Sequence, residues 1–303
     1  MAKDQYRKEN SQKGRNLINR RNFLLSGLGV LMGGGIYLAN LKQKPAKYSL
    51  EEVGHFLKKL EIDPYVIPSD GKKSLLLIEH AGGNTVQNCI KNLGRSIKID
   101  QIYMQGAYAD GGGSDPYTAC QRDRVAFQGG TFSKEKIYQE DQNDLGYFDL
   151  SRKFSVKGVE SKDLSHDLYV LEEMKSLSLK LFRYGSKDAE IEKKLRGLDS
   201  SLKIRSPQLP DHLDRDKIFG LVSQASLELE LIERNKYIAG IVDQTLSEEG
   251  FGIFAASPAH IKPFYSGNRE YSTILPAFTE KGIDTMVLSF DQAIALNKKL
   301  QPK

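Results

Sequence analysis

The chain has 303 residues, of which 39% are hydrophobic, 27% charged and 9% aromatic. That length and mixture fit one large or two small globular domains with a sizeable core, and they exclude wholesale disorder. The net charge of +5 sits in residues 1–21, which carry seven Lys or Arg against Asp4 and Glu9; residues 22–303 hold 37 basic and 37 acidic groups. A body with balanced charge lacks the basic footprint that holds nucleic acid, so no nucleic-acid partner is expected.

In chain order, a polar and basic segment leads into Asn19-Arg20-Arg21-Asn22-Phe23-Leu24, and Phe23–Leu38 is an apolar run containing five glycines. The run is shorter than the roughly 20 residues a spanning helix needs. A basic segment before a short apolar run is the layout of an export signal, and the paired arginines resemble those of a bacterial twin-arginine signal. Residues 1–40 are thus expected to be a signal or anchor, which places the protein in the periplasm or on the outer face of the inner membrane. Tyr37-Leu38-Ala39 offers one small residue for cleavage where two are wanted. Cleavage and retention as a membrane tether both remain open. Residues 41–72 are expected to supply a tether and a short amphipathic helix over Tyr48–Leu60.

The remainder, residues 73–303, reads as one α/β domain. Ser74–Ile78 is a fully apolar run, as in a strand buried on both faces of a parallel sheet. Thr85–Leu93 has helical spacing, and Ile99–Met104 reads as a second strand closed by Gly106. Strand, helix and strand over about thirty residues make a βαβ unit. Ser133–Asp141 is expected to be a short helix and Phe154–Val159 a third strand. Leu168–Leu198 and Arg215–Ser247 are long, charged and periodic, and predict a helical insertion over about 165–247 that lies as a lid on the sheet. The α/β pattern then resumes with strands at Gly252–Ala256 and Thr285–Ser289 and helices at Ser272–Lys281 and Asp291–Leu300. The expected fold is α/β, a mostly parallel sheet flanked by helices with a long helical insertion.

Open parallel sheets bind ligands outside the carboxyl ends of their strands. Polar groups cluster at those ends here: Glu79 and His80 with Gly82-Gly83-Asn84; Gln105-Gly106 with Asp110; Glu160-Ser161; and Ser257-Pro258-Ala259-His260. Carboxylates and histidines from separate strands can bind a divalent metal or act as acid–base partners. Gly111-Gly112-Gly113 lacks the residues of a phosphate loop and reads as a turn. Neither GxSxG nor HExxH is present, so serine hydrolases and zincins lack their motifs. His55, His166 and His212 sit in charged contexts and are expected at the surface. Cys89 and Cys120, the two cysteines, either form one disulfide or are two separate buried residues.

The order of these pieces resembles the EreA/ChaN/TIKI superfamily, most closely its TraB/GumN/TIKI-like and ChaN-like branches, over about residues 72–290. The stretches that carry the resemblance are Leu76-Leu77-Ile78-Glu79-His80, Ile102-Tyr103-Met104-Gln105-Gly106, Gly158-Val159-Glu160, Glu233-Arg234-Asn235-Lys236-Tyr237-Ile238 and Phe254-Ala255-Ala256-Ser257-Pro258-Ala259-His260. The resemblance implies a site lined by Glu79, His80, Glu160, Arg234 and His260. Glu79, His80, Glu160 and His260 would hold a divalent metal ion, and Arg234 would pair a carboxylate or steady a developing oxyanion. Three departures stand out. Glu79 and His80 are adjacent, Gln105 replaces an acid, and Ser257 replaces the glycine that opens the last motif. The function implied is an exported metal-dependent hydrolase acting on a peptide or ester bond. The alternative is a haem- or iron-binding protein, or a catalytically degenerate member that binds a small-molecule or peptide ligand.

Overall fold

The computed structural model describes residues 49–80, 84–110, 115–143, 145–184, 189–210, 215–266, 269–271 and 273–301. All lie in one compact unit, Pro45–Lys303. The arginine pair Arg20-Arg21, the apolar run Phe23–Leu38, Gly82-Gly83, the turn expected at Gly111-Gly112-Gly113 and His212 fall outside the described residues.

The protein is an α/β fold built on a six-stranded, mostly parallel sheet. Helix α1 (Leu50–Lys59) opens with a reciprocal cap, in which the Ser49 hydroxyl accepts from the Glu52 N–H and the Glu52 carboxylate accepts from the Ser49 N–H. It is followed by β1 (Tyr65–Ile67), β2 (Lys73–Glu79), α2 (Asn84–Ser96), β3 (Gln101–Tyr108), α3 (Pro116–Phe127), α4 (Lys134–Asn143), α5 (Tyr147–Ser151) and β4 (Val156–Glu160). The insertion contributes α6 (Lys162–Tyr184), α7 (Ala189–Ser201), α8 (Arg215–Glu228), a π-helical turn (Leu229–Glu233) and α9 (Arg234–Thr245). The chain then returns through β5 (Phe251–Ala256), α10 (Pro258–Ile261), the hairpin β6 (Phe264–Ser266) and β7 (Arg269–Tyr271), α11 (Leu275–Glu280), β8 (Ile283–Leu288) and α12 (Phe290–Leu300).

The order across the sheet is β1-β8-β2-β5-β3-β4, parallel except for β1. Strand β1 pairs with β8, so residues 65–67 are part of the sheet. Alternation explains the wholly apolar β2: Leu76 and Ile78 enter one core with α2 and α12, while Leu75 and Leu77 enter a second core with α9 and α11. A third apolar cluster, including Leu171, Met174, Ile218 and Val222, joins α6, α7 and α8, so the insertion carries a core of its own.

Connections leave the centre of the sheet in opposite directions. From β2 the chain passes through α2 to β3, skipping the slot that β5 later fills; from β5 it passes back through α11 to β8. Glu79 ends β2 and Ser257 follows β5, so both stand at the carboxyl edge of the sheet, where open parallel sheets place their ligands.

Strand β3 differs from its expected form. It runs on to Tyr108, past an irregularity in which Met104 and Tyr108 pair with Gly158 and Glu160. Gly106 takes a φ of +77°, which a side chain would strain. A Cβ on Gly158 would collide with the backbone oxygens of Ala107 and Tyr108. The two glycines therefore let the bulge press against β4.

Candidate functional site

The bulge turns the Gly106 N–H toward the end of β4, where it donates to Glu160 Oε1 at 3.1 Å. Glu160 is 4% exposed and is gripped by Arg234 through two hydrogen bonds, Nε to Oε2 at 3.0 Å and Nη2 to Oε1 at 2.5 Å. This two-pronged geometry is the one in which a guanidinium binds a carboxylate most specifically. Burial works to raise the Glu160 pKa, but the charge and hydrogen bonds of Arg234, with the Gly106 N–H, outweigh it and hold the carboxyl below its ordinary value. Arg234 also donates to Glu230 Oε1 at 3.2 Å.

The π-helical turn sets this geometry from the helix side. It ends immediately before Arg234, and single π turns inside α-helices are frequent at functional sites. Asn235, 3% exposed, donates through Nδ2 to the Leu231 carbonyl oxygen at 2.7 Å. That bond fixes the amide so that Oδ1 faces His260 Nδ1, at 2.6 Å. An amide oxygen only accepts, so Nδ1 must carry the proton and Nε2 is the lone-pair nitrogen of the neutral ring. His260 is 1% exposed, and burial, reinforced by the Arg234 charge and opposed by Glu160, lowers its pKa from 6.5 to about 4.

Toward the centre of the sheet, Gln105 Oε1 accepts from the Ser257 N–H at 3.3 Å, and its Nε2 is buried with no hydrogen-bond partner among the described residues. Glu79 is the last residue of β2 and accepts from Lys262 Nζ at 2.6 Å. His80 follows the strand, its N–H donating to the Ala256 carbonyl oxygen. By alternation Glu79 shares the face of Leu75 and Leu77, and His80 the opposite one. Glu160, Arg234 and His260 thus stand together, while Glu79 and His80 leave the end of β2 on opposite faces.

Whether the four expected donors suit a metal can be judged from what holds them. Both Glu160 oxygens bond to Arg234, Glu79 to Lys262 and His260 Nδ1 to Asn235, while His80, the fourth, is turned by alternation to the opposite face from Glu79. Among the described residues no group of three or more His, Cys, Asp or Glu is placed to hold a metal ion. As arranged, the set does not fit a divalent cation.

Over the Glu160–Arg234 pair opens a cavity of about 770 Å³. Its floor is Gly106, Glu160 and Arg234. One wall is a stripe of α3 and its C-cap at helical spacing, Cys120, Arg124 and Gln128; the other is a stripe of α6, Ser165, Tyr169, Glu172 and Ser176. Among the described residues no histidine lines it. Cys120 and Tyr169 are the lining residues of types that ligate haem iron, and burial foremost pushes the pKa of each up to about 12. Both cysteines are buried and free, Cys89 in the core beside α12 and Cys120 on the cavity wall.

The sequence points to Glu79, Glu160, Arg234 and His260 but not to Lys262 and Asn235, the partners of Glu79 and His260. Asn235 stands inside the Glu-Arg-Asn stretch, and Lys262 two residues after His260, so both were within reach. The α3 wall had no signal of that kind. No helix among the described residues is long and apolar enough to cross a membrane. Comparison with known protein families, curated proteins and solved structures finds no match to this chain.

Proposed function

We propose that this chain is an exported ligand-binding protein whose ligand occupies the cavity above the Glu160–Arg234 pair. The observation that carries the reading is that Glu160, Glu79 and His260 are each held by other residues of the protein. Glu160 is bound by Arg234 and Gly106, Glu79 by Lys262, and His260 Nδ1 by Asn235. Of these, Glu160 with Arg234 and Gly106 forms a preorganised floor of the cavity, which lowers the ordering cost of binding. A histidine with a pKa of about 4 is a weak proton acceptor near neutral pH, where general bases work best with pKa values close to the working pH. Binding without turnover fits these properties better than hydrolysis does. Export rests on the leader, and exchanging Arg20 and Arg21 for lysine is expected to retain the protein inside the cell; unchanged export would remove that part of the proposal.

The binding reading is tested by titrating a small-molecule fragment set into the full-length, isotope-labelled chain. Chemical-shift changes centred on Gly106, Cys120 and Tyr169 are expected. Changes confined to other surfaces would contradict it.

The metal-dependent hydrolase remains a second reading, favoured by one feature. The Nδ1-protonated tautomer of His260 makes Nε2 the donor nitrogen, as in metal-binding imidazoles. It requires Glu160 to exchange Arg234 for the ion. Stoichiometric metal, together with peptide or ester turnover lost in His260→Ala, would establish it.

A further inference from the structure

The walls of the cavity carry opposite charge. Arg124 projects from α3, is exposed, and has no ion-pair partner among the described residues. Its charge nevertheless reaches the cavity, since it acts on both Cys120 and Tyr169. On the facing wall stand Glu172 and Glu173. Glu173 is committed to Lys194 at 2.7 Å, whereas Glu172 is 63% exposed at its side chain and meets Lys175 only at 3.8 Å. The two other charges at the floor, Glu160 and Arg234, neutralise each other. What the cavity offers a ligand is therefore one uncommitted cation on α3 and one loosely held anion on α6.

We infer that the ligand is a zwitterion, an amino acid or short peptide with free ends, whose carboxylate is taken by Arg124 and whose ammonium is taken by Glu172. This inference rests on the binding reading above and names the ligand class for the same cavity. The volume of about 770 Å³ lies within the range of small-ligand sites and accommodates a few residues. Elsewhere on the lining, Gln128 and Ser176 supply donors and acceptors for peptide groups, and Phe127 and Leu168 supply apolar surface for side chains.

The experiment is calorimetric titration of the full-length chain with tri-alanine, its N-acetylated form and its C-terminal amide. Blocking either end is expected to weaken binding by about tenfold or more, the usual worth of a charge-assisted hydrogen bond. Arg124→Ala should weaken the free and acetylated peptides and leave the amide unchanged. Glu172→Gln should weaken the free peptide and the amide and leave the acetylated form unchanged. Equal binding of all three peptides, or variants that weaken all three alike, would overturn the inference. So would absence of binding by any of them. If the fragment set still shifts Gly106, Cys120 and Tyr169 in that case, the cavity remains a binding site and only the zwitterion is lost; if it does not, both fail.

Discussion

Replacing His260 by glutamine removes a group whose proton affinity falls on folding, and the consequence depends on pH. The ordinary value of 6.5 drops to about 4 in the folded chain. The unfolded chain therefore binds a proton more readily than the folded one between these values, and acid favours unfolding. The contribution of neutral His260 is present above about pH 6.5 and is lost as pH falls toward 4. Over the whole interval it amounts to roughly 3 kcal/mol, and between pH 7 and pH 5 to about 2 kcal/mol. Urea unfolding of the parent and of His260→Gln across that range gives the difference directly. The variant should be the less stable near neutrality, because Asn235 Oδ1 loses its donor, and the gap should narrow by about 2 kcal/mol at pH 5. A gap that does not change with pH, or a His260 ring that titrates near 6.5 by NMR, would refute the reasoning.

Glu160→Gln leaves Arg234 buried beside a neutral amide and is expected to cost about 3–5 kcal/mol in urea unfolding, as breaking a buried pair commonly does; a cost under about 1 kcal/mol would contradict the role given to the pair. Gly158→Ala places a methyl group against the Ala107 and Tyr108 carbonyl oxygens. It should destabilise by more than about 2 kcal/mol, because neither backbone segment can yield without breaking the bulge; an unchanged midpoint would count against it. Both thiols are pushed up to about 12 by burial, Cys120 with the Glu160 charge adding to the effect. Neither should react with a thiol reagent near neutral pH until the chain is unfolded, and rapid native labelling would show the sites to be open.

The sheet was legible because its strands are apolar on both faces, so Ser74–Ile78 and Gly252–Ala256 announce themselves without alternation. Short β1 was not, since Tyr65 and Val66 remain exposed at the sheet edge and leave no burial pattern. Helix α3 was missed for a related reason. Its buried face mixes Tyr117, Cys120 and Val125 with Gln121, whose Nε2 donates to the Gly106 carbonyl oxygen, so polar and apolar positions do not separate. With α3 unseen, the cavity it walls could not be anticipated. Strand β3 was ended at Gly106 because glycine usually closes a strand, whereas here it shapes a bulge that continues to Tyr108. At the site, Arg234, Glu160 and His260 could be named from their order along the chain. Their ionic state could not, because it depends on Asn235, Leu231 and Gly106, whose contacts arise only on folding.

The central claim is that the floor of the site is an internally satisfied binding surface. It is tested most directly by elemental analysis, an absorbance scan and native mass spectrometry on one sample of full-length protein purified from its export compartment. The account predicts a small organic ligand at up to one per chain, displaced in Arg124→Ala, with no stoichiometric metal and no haem band. One divalent metal per chain, lost in both Glu160→Gln and His260→Ala, would contradict it and return the site to metal-dependent hydrolysis.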